Sequence, residues 1–299
     1  LRCMAVAPGV IVPADYGSPL DLFHLVRAAL AEDVGAGDVT TAATIPADRA
    51  GRARVVVRAP GVVSGLSAFA ETYRQVDPSI AVELPKEDGD QVAVGDALAF
   101  ASGAFASLLV AERVALNFLQ RLSGVATQAR RFSQAVAGTG ARIVDTRKTT
   151  PGWRSLEKAA VRDGGGFNHR MGLYDAYLIK ENHVAGAGGI EAALSAASSR
   201  NAARLPVEIE VRSAQELEAV LESSHSPDRI LLDNFGIDDL VPAVRRIRSL
   251  KRAIVIEASG GISLATVRTV AQAGVDWISV GALTHSAPAL DLSCLIEPA

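Results

Sequence analysis

RILLDNFGIDDLVPAVRRIRSLKRAIVIEASGG, residues 229–261, reads as a strand, a helix and a second strand in succession. RILLD (229–233) and AIVIE (253–257) are short apolar runs that each end in an acid, and 237–250 between them reads as helix. A strand that returns through a helix to a second strand of the same sheet needs a right-handed crossover, so the two strands are parallel. Strands that are apolar along their whole length are buried on both faces, as a parallel sheet requires. The same unit recurs on either side. Further strand-like runs are RIVDT (142–146), AYLIK (176–180), VEIEV (207–211) and DWISV (276–280). Helices are predicted near 190–203, 213–223 and 263–273, and Gly274 sits where a helix C-terminal glycine belongs. The class is α/β. Six such runs fall short of the eight strands of a closed barrel, so a barrel-like sheet and a doubly wound one both stay open.

The chain changes character near residue 105. Before it, a helical segment from Leu20 to Glu32 leads into strand-like pieces at 52–66, 80–92 and 96–105. Pro60-Gly61, Asp88-Gly89-Asp90 and Gly95-Asp96 separate them as turn signals. From 106 the spacing of Leu109, Val114, Phe118, Leu122 and Val125 predicts one long helix, with Gly138 and Gly140 marking its end. The expected organisation is a disordered leader over 1–18 and an N-terminal sheet domain over 19–125 with the long helix at its end. A barrel-like catalytic domain over 126–292 and a tail over 293–299 complete it.

Composition narrows the function. Hydrophobic residues at 49% and charged residues at 21% are those of a globular protein rather than a disordered one. A formal net charge of −3 argues against nucleic-acid binding through bulk electrostatics. Cys3 and Cys294 form no disulfide framework and no zinc spacing, which points to a reducing cytoplasm. No run approaches 18 apolar residues, so no membrane span is expected.

Parallel α/β folds bind their ligands at the C-terminal ends of the strands. Here those ends read DTRK, IKENH, EIEVR, LLDNF, IEASGG and SVGAL. Arg147, Lys148 and Lys180 bring positive charge there, which suggests a multiply anionic ligand. Arg154, Lys158 and Arg162, spaced by four, are expected on a solvated helix face. Between the first two strands lies GGGFNHRMG (164–172), whose glycines suit a flexible loop or a backbone brought close to a ligand. Glu210 and Asp233 amid these cations suit magnesium, a sugar hydroxyl, or charge balance alone. Ser259-Gly260-Gly261, with a helix expected near Ser263, and Val280-Gly281-Ala282-Leu283 suit a phosphate. Together these predict a phosphorylated sugar diphosphate, magnesium and an acidic co-substrate. GxxxxGK[ST], GxGxxG after a strand and GxSxG are all absent.

DTRKTTPGWRSLEKAAVRDGGGFNHRMGLYDAYLIKENH (145–183) resembles the signature of the quinolinate phosphoribosyltransferase family, also called carboxylating nicotinate-nucleotide pyrophosphorylases. EDVGAGDVTT (32–41), LLVAERVALNFLQRLSGVAT (108–127), IEASGGI (256–262) and VGALTHS (280–286) are similar to it as well. The resemblance implies transfer of phosphoribose from 5-phosphoribosyl-1-diphosphate to quinolinate with loss of CO2, giving nicotinate mononucleotide. It also implies magnesium, an N-terminal sheet domain beside an incomplete α/β barrel, and a homodimer or an oligomer of dimers. Carried onto this chain, Arg147, Lys148, His169 and Arg170, with Thr146 beside them, would bind the two carboxylates of quinolinate. Arg113 would enter the neighbouring subunit's site. Lys180 and His183 would face the diphosphate, and Glu210 and Asp233 the ribose hydroxyls and metal. Ser259, Gly260, Gly261, Val280, Gly281 and Ala282 would cradle the 5-phosphate. Lys148, Lys180, Glu210 and Asp233 are the expected catalytic residues, and the 164–166 glycines would let the chain pass close to the flat acceptor. A relative acting on nicotinate, a molybdenum-associated paralogue and a phosphosugar sensor are the alternatives.

Overall fold

The structure is a computed structural model that describes residues 21–299, so the leader over 1–18 lies outside the described residues. The chain opens with α1 (Leu22–Val34) and α2 (Val39–Thr44). Asp21 and Asp38 cap them by accepting the N–H groups of His24 and of Thr40 and Thr41. Then follow β1 (Ala50–Val57), β2 (Gly61–Val62), α3 (Leu66–Val76), β3 (Ala81–Glu83), β4 (Gln91–Val92) and β5 (Ala97–Ala104). The helix α3 is an element that the sequence patterning does not name.

The long helix α4 (Phe105–Ala135) joins two cores. Its Leu108 and Leu119 pack with Val55, Val57, Leu98, Phe69 and Tyr73 beneath the N-terminal sheet. Its Leu122, Val125, Ala129 and Phe132 pack with the second half of the chain. That half runs β6 (Arg142–Val144), α5 (Arg154–Asp163), β7 (Tyr177–Ile179), α6 (Glu181–Ala187), α7 (Ile190–Arg200), β8 (Val207–Val211) and α8 (Ala214–Glu222). It continues through β9 (Arg229–Asp233), α9 (Ile237–Ser249), β10 (Val255–Ser259), α10 (Val267–Gln272), β11 (Trp277–Ser279) and α11 (Ala282–His285) to β12 (Leu292–Pro298).

Strand order settles which α/β fold this is. The six parallel strands lie in the order β6-β11-β10-β9-β8-β7. Each strand from β7 to β11 neighbours the next in sequence, and the last returns to the first. A doubly wound sheet would place its first strand in the interior. This is a singly wound barrel left open between β6 and β7, which share no ladder among the described residues. Alternation along each strand then sorts side chains. Ile209, Ile230, Leu232, Ile256 and Ile278 face the surrounding helices, so Glu208, Glu210, Asp233, Glu257 and Ser259 face the lumen.

The expected tail over 293–299 is corrected: β12 pairs antiparallel with β1, from Val57 opposite Leu292 to Gly51 opposite Pro298. The N-terminal sheet, in the order β12-β1-β5-β3, thus takes its edge strand from the far end of the chain. A single short edge strand has little patterning of its own and is defined by the partner whose backbone groups it satisfies. The helix expected near Ser263 starts later, at Val267. No helix among the described residues is long and apolar enough to cross a membrane.

Candidate active site

The GGGFNHR segment extends the β6 side of the barrel's open seam. Phe167 bridges Val144 in the parallel sense, with Phe167 N–H donating to the Ile143 carbonyl at 2.8 Å and Asp145 N–H to the Phe167 carbonyl at 3.1 Å. The glycines serve packing against α4 and α5 rather than approach to a ligand. A Cβ on Gly164 would stand 2.2 Å from the Ala126 carbonyl oxygen, and one on Gly166 would stand 2.8 Å from the Val161 side chain. Gly165 has φ +84°, in the left-handed region that favours glycine.

Beneath the segment lies a buried ion pair. Lys158 and Asp145 are both 0% exposed. The Lys158 ammonium donates to Asp145 Oδ1 and to the His169 carbonyl at 3.1 Å. Asp145 also accepts from His169 N–H at 2.9 Å and Asn168 Nδ2 at 2.6 Å. Burial pushes the Asp145 carboxyl up and the Lys158 ammonium down, while their mutual contact opposes both shifts. The expectation of a solvated face therefore holds for the exposed Arg162 and is corrected for the buried Lys158, with Arg154 partly covered. Spacing by four places them on one side of α5, and that side is turned toward the segment. Arg162 donates to Asn168 Oδ1 at 2.5 Å. Arg154 donates to Thr149 Oγ1 at 3.0 Å, the Met171 carbonyl at 3.1 Å and the Arg147 carbonyl at 3.3 Å.

On this scaffold stand the cations of the mouth. Arg147 and Lys148 are exposed, and Arg170 is half-buried with one N–H on the Ala176 carbonyl at 3.2 Å. Burial first, and then the neighbouring Arg147 charge, lower the Arg170 guanidinium from its ordinary value. Lys148 N–H donates to Thr146 Oγ1 at 3.0 Å. Its carbonyl accepts from Thr284 Oγ1 at 2.7 Å, which ties this turn to the one at Val280-Gly281-Ala282. Gly281 leaves room there: an added Cβ would meet the Lys148 stem at 3.1 Å.

The opposite wall carries the carboxylates. Lys180 donates to Glu210 Oε2. Arg212, which the site prediction omits, links three acids: it stands 3.0 Å from Glu181, 3.4 Å from Glu210 and 3.7 Å from Asp233. Its signal was the R that ends EIEVR. His183 is exposed, and its Nδ1 accepts the Lys180 N–H at 3.0 Å at the start of α6. The next loops interlock, since Asn234 N–H donates to the Ser259 carbonyl at 2.9 Å. A Cβ on Gly260, whose φ is +99°, would stand 2.1 Å from Asn234 Oδ1.

Two expected residues stand elsewhere. Arg113 is exposed on α4 near Cys294 of β12, and forms no hydrogen bond or ion pair with the mouth residues. His169 faces the lumen. It is 9% exposed, its Nε2 lies 3.0 Å from Glu208 and 3.3 Å from Glu257, and its Nδ1 accepts the Arg170 N–H at 2.7 Å.

This geometry can hold two anions against one another, one at the 147–170 cations and one between Lys180 and the glycine turns. Comparison with known proteins agrees in kind. A family profile described as "Quinolinate phosphoribosyl transferase, C-terminal domain" matches residues 125–294, and its N-terminal counterpart matches residues 38–123. The two profiles meet inside α4. The chain is 41% identical over 292 residues to "Quinolinate phosphoribosyltransferase [decarboxylating] 1b" of Nicotiana tabacum, covering 93% of this chain and 83% of the tobacco protein. It is 41% identical to the "Probable nicotinate-nucleotide pyrophosphorylase [carboxylating]" of Synechocystis, covering 89% of this chain and 90% of that one. The solved nicotinate-nucleotide pyrophosphorylase of Francisella tularensis superposes with a TM-score of 0.86 at 38% identity, over 92% of this chain and 96% of that one.

Proposed function

The chain belongs to the quinolinate phosphoribosyltransferase family, and on that premise we propose that it joins the phosphoribosyl group of 5-phosphoribosyl-1-diphosphate to quinolinate with decarboxylation. The products are nicotinate mononucleotide, diphosphate and CO2, and the reaction class is pentosyl transfer in NAD biosynthesis. One observation carries the choice of acceptor. Arg147, Lys148 and Arg170 share the mouth, Arg147 and Arg170 repel each other, and none of the three is in an ion pair among the described residues. Their charge is left for a ligand. Two carboxylates of quinolinate compensate it better than the single one of nicotinate.

Displacement at the anomeric carbon builds positive charge on the sugar and negative charge on the departing diphosphate, so positioning and electrostatics supply the catalysis. Arg147, Lys148 and Arg170 hold the acceptor with its ring nitrogen toward the sugar. That nitrogen attacks with its own lone pair, so no general base is required. Lys180 faces the departing diphosphate, while Ser259, Gly260, Gly261, Val280, Gly281 and Ala282 hold the 5-phosphate. Glu210 and Asp233 are oxygen donors on adjacent strands, sharing Arg212 at 3.4 and 3.7 Å. Such a set fits magnesium held through substrate phosphates and water, since Lys180 and Arg212 already stand on these carboxylates. Bound there, magnesium would neutralise diphosphate charge. Arg113, exposed on α4 and without a hydrogen bond or ion pair to the mouth residues among the described residues, is assigned to the site of a second subunit in a homodimer. The two cysteines and the absence of a disulfide framework favour a cytoplasmic setting.

The test is formation of nicotinate mononucleotide and diphosphate, with CO2 released, from quinolinate, phosphoribosyl diphosphate and magnesium. It is repeated with nicotinate, which gives the same nucleotide without CO2, and with a chelator. Turnover of nicotinate in place of quinolinate would overturn the acceptor, and full activity in the chelator would overturn the metal. Arg170→Ala should weaken quinolinate binding by about 1.5–3 kcal/mol, the scale of a charged hydrogen bond. Unchanged affinity in calorimetry would remove Arg170 from the site.

A further inference from the structure

The cations assigned to the acceptor sit on two separate loops, and their own charge drives those loops apart. Arg147 and Lys148 follow β6, while Arg170 lies in the segment before β7. Burial first, and then the Arg147 charge, lower the Arg170 guanidinium from its ordinary value, so the loops present like charges to one another. Deeper in the barrel Lys158 pairs with Asp145 and holds the His169 carbonyl at 3.1 Å. At the mouth, Arg154 is the side chain that bonds both loops among the described residues. Its Nη2 donates to the Arg147 carbonyl at 3.3 Å and its Nε to Thr149 Oγ1 at 3.0 Å, both on the first loop. Its Nη1 donates to the Met171 carbonyl at 3.1 Å on the second.

The bridge is anchored at its root and at both ends. Arg154 opens α5, and Trp153 just before it stacks on Phe118 of α4 with ring centroids 4.6 Å apart. Glu157, 2% exposed, accepts the Thr150 N–H at 3.0 Å and the Thr150 hydroxyl at 2.6 Å, which ties the first loop to the same helix. The Arg147 carbonyl also accepts the Thr149 N–H at 2.9 Å. On the second loop Asp175 accepts the N–H groups of Met171 at 2.6 Å and Gly172 at 2.9 Å. The two carbonyls that Arg154 grips therefore belong to Arg147 itself and to the residue after Arg170. A planar guanidinium fork holds such points at a set separation, which a flexible ammonium does not.

We propose that Arg154 is a positioning residue for the acceptor: it sets the separation of Arg147 and Arg170 and so selects a ring with carboxylates on adjacent atoms. The inference rests on the acceptor reading above. Without the bridge, Arg147 and Arg170 stay in place but can part under their own repulsion. Affinity should then fall, and the preference for one carboxylate spacing should fall with it.

The test is calorimetry with quinolinate, benzene-1,2-dicarboxylate and benzene-1,3-dicarboxylate. The proteins are the wild type, Arg154→Ala, Arg154→Lys, Thr149→Val and the double variant Arg154→Ala with Thr149→Val. The wild type should prefer the adjacent-carboxylate isomer. Arg154→Ala should weaken quinolinate about tenfold and lower the isomer preference about threefold or more. In turnover assays its KM for phosphoribosyl diphosphate should move less than about twofold. Arg154→Lys keeps the charge without the fork and should recover only a small part of the lost affinity. Thr149→Val should cost about threefold alone and nothing further once Arg154 is Ala. Full recovery in Arg154→Lys, an isomer preference absent from the wild type or unchanged in Arg154→Ala, or a Thr149→Val loss that persists in the double variant would overturn the proposal. Should Arg154→Ala fail to fold, Arg154→Lys and Thr149→Val decide: normal quinolinate affinity in both would overturn it. A wild-type protein that binds neither quinolinate nor the adjacent-carboxylate isomer would instead overturn the acceptor reading.

Discussion

Lys158→Ala should cost the fold about 3–5 kcal/mol, the scale of breaking a buried ion pair by removing one partner. The substitution strands the Asp145 carboxylate, 0% exposed, without the cation it pairs with. It also frees the His169 carbonyl, which accepts from the same ammonium at 3.1 Å. Because Asp145 holds His169 and Asn168 as well, the loss should spread to the segment that carries Arg170, and quinolinate affinity should fall with stability. Arg162→Ala is the contrast: its partner is Asn168 and its site is exposed, so it should cost less than about 1 kcal/mol. Denaturant and thermal unfolding of the two variants give the comparison. A Lys158→Ala loss no greater than that of Arg162→Ala would show that the pair does not brace the segment.

Lys180→Ala should lower turnover about 10²–10³-fold, the range found when one preorganised donor to developing charge is removed. Lys180 is the cation on Glu210, a residue 6% exposed, and after its removal Arg212 at 3.4 Å is what remains there. Because Arg147, Lys148 and Arg170 are untouched, the quinolinate KM should change much less than kcat. A KM effect with normal kcat would move Lys180 to the acceptor side. The same variant tests the shared site. Mixed with Arg113→Ala subunits, it should regain activity through hybrid dimers, and no regain would count against Arg113 acting across the interface.

Much of the site was legible because strand ends can be read as strings. VEIEV and RILLD are strands at the predicted bounds, so Glu210 and Asp233 could be assigned to the mouth from alternation and position. Arg147, Lys148 and Lys180 followed in the same way, while Arg170 came from the family resemblance. Lys158 was misread because spacing identifies the shared side of a helix but not what covers it. Its partner Asp145 lies 13 residues away and meets it only when β6 and α5 pack. The lumen surroundings of His169 were hidden for a related reason. Its neighbours Glu208 and Glu257 come from β8 and β10, and no local pattern connects three such distant positions.

By itself the sequence determined the α/β class, the parallel strands, the end of the sheet that bears the site, and the family. These follow from periodicity, crossover handedness and a long ordered motif, which are properties of neighbouring residues. Only the tertiary structure decided between barrel and doubly wound sheet, gave β12 to the N-terminal sheet, and turned GGGFNHR from a loop into a backbone partner of β6 at the barrel seam. It also divided the charged side chains into those that face a ligand and those that neutralise one another in the lumen. Each of these depends on contacts between remote segments, where burial, and not local pattern, sets whether a charge is free or paired.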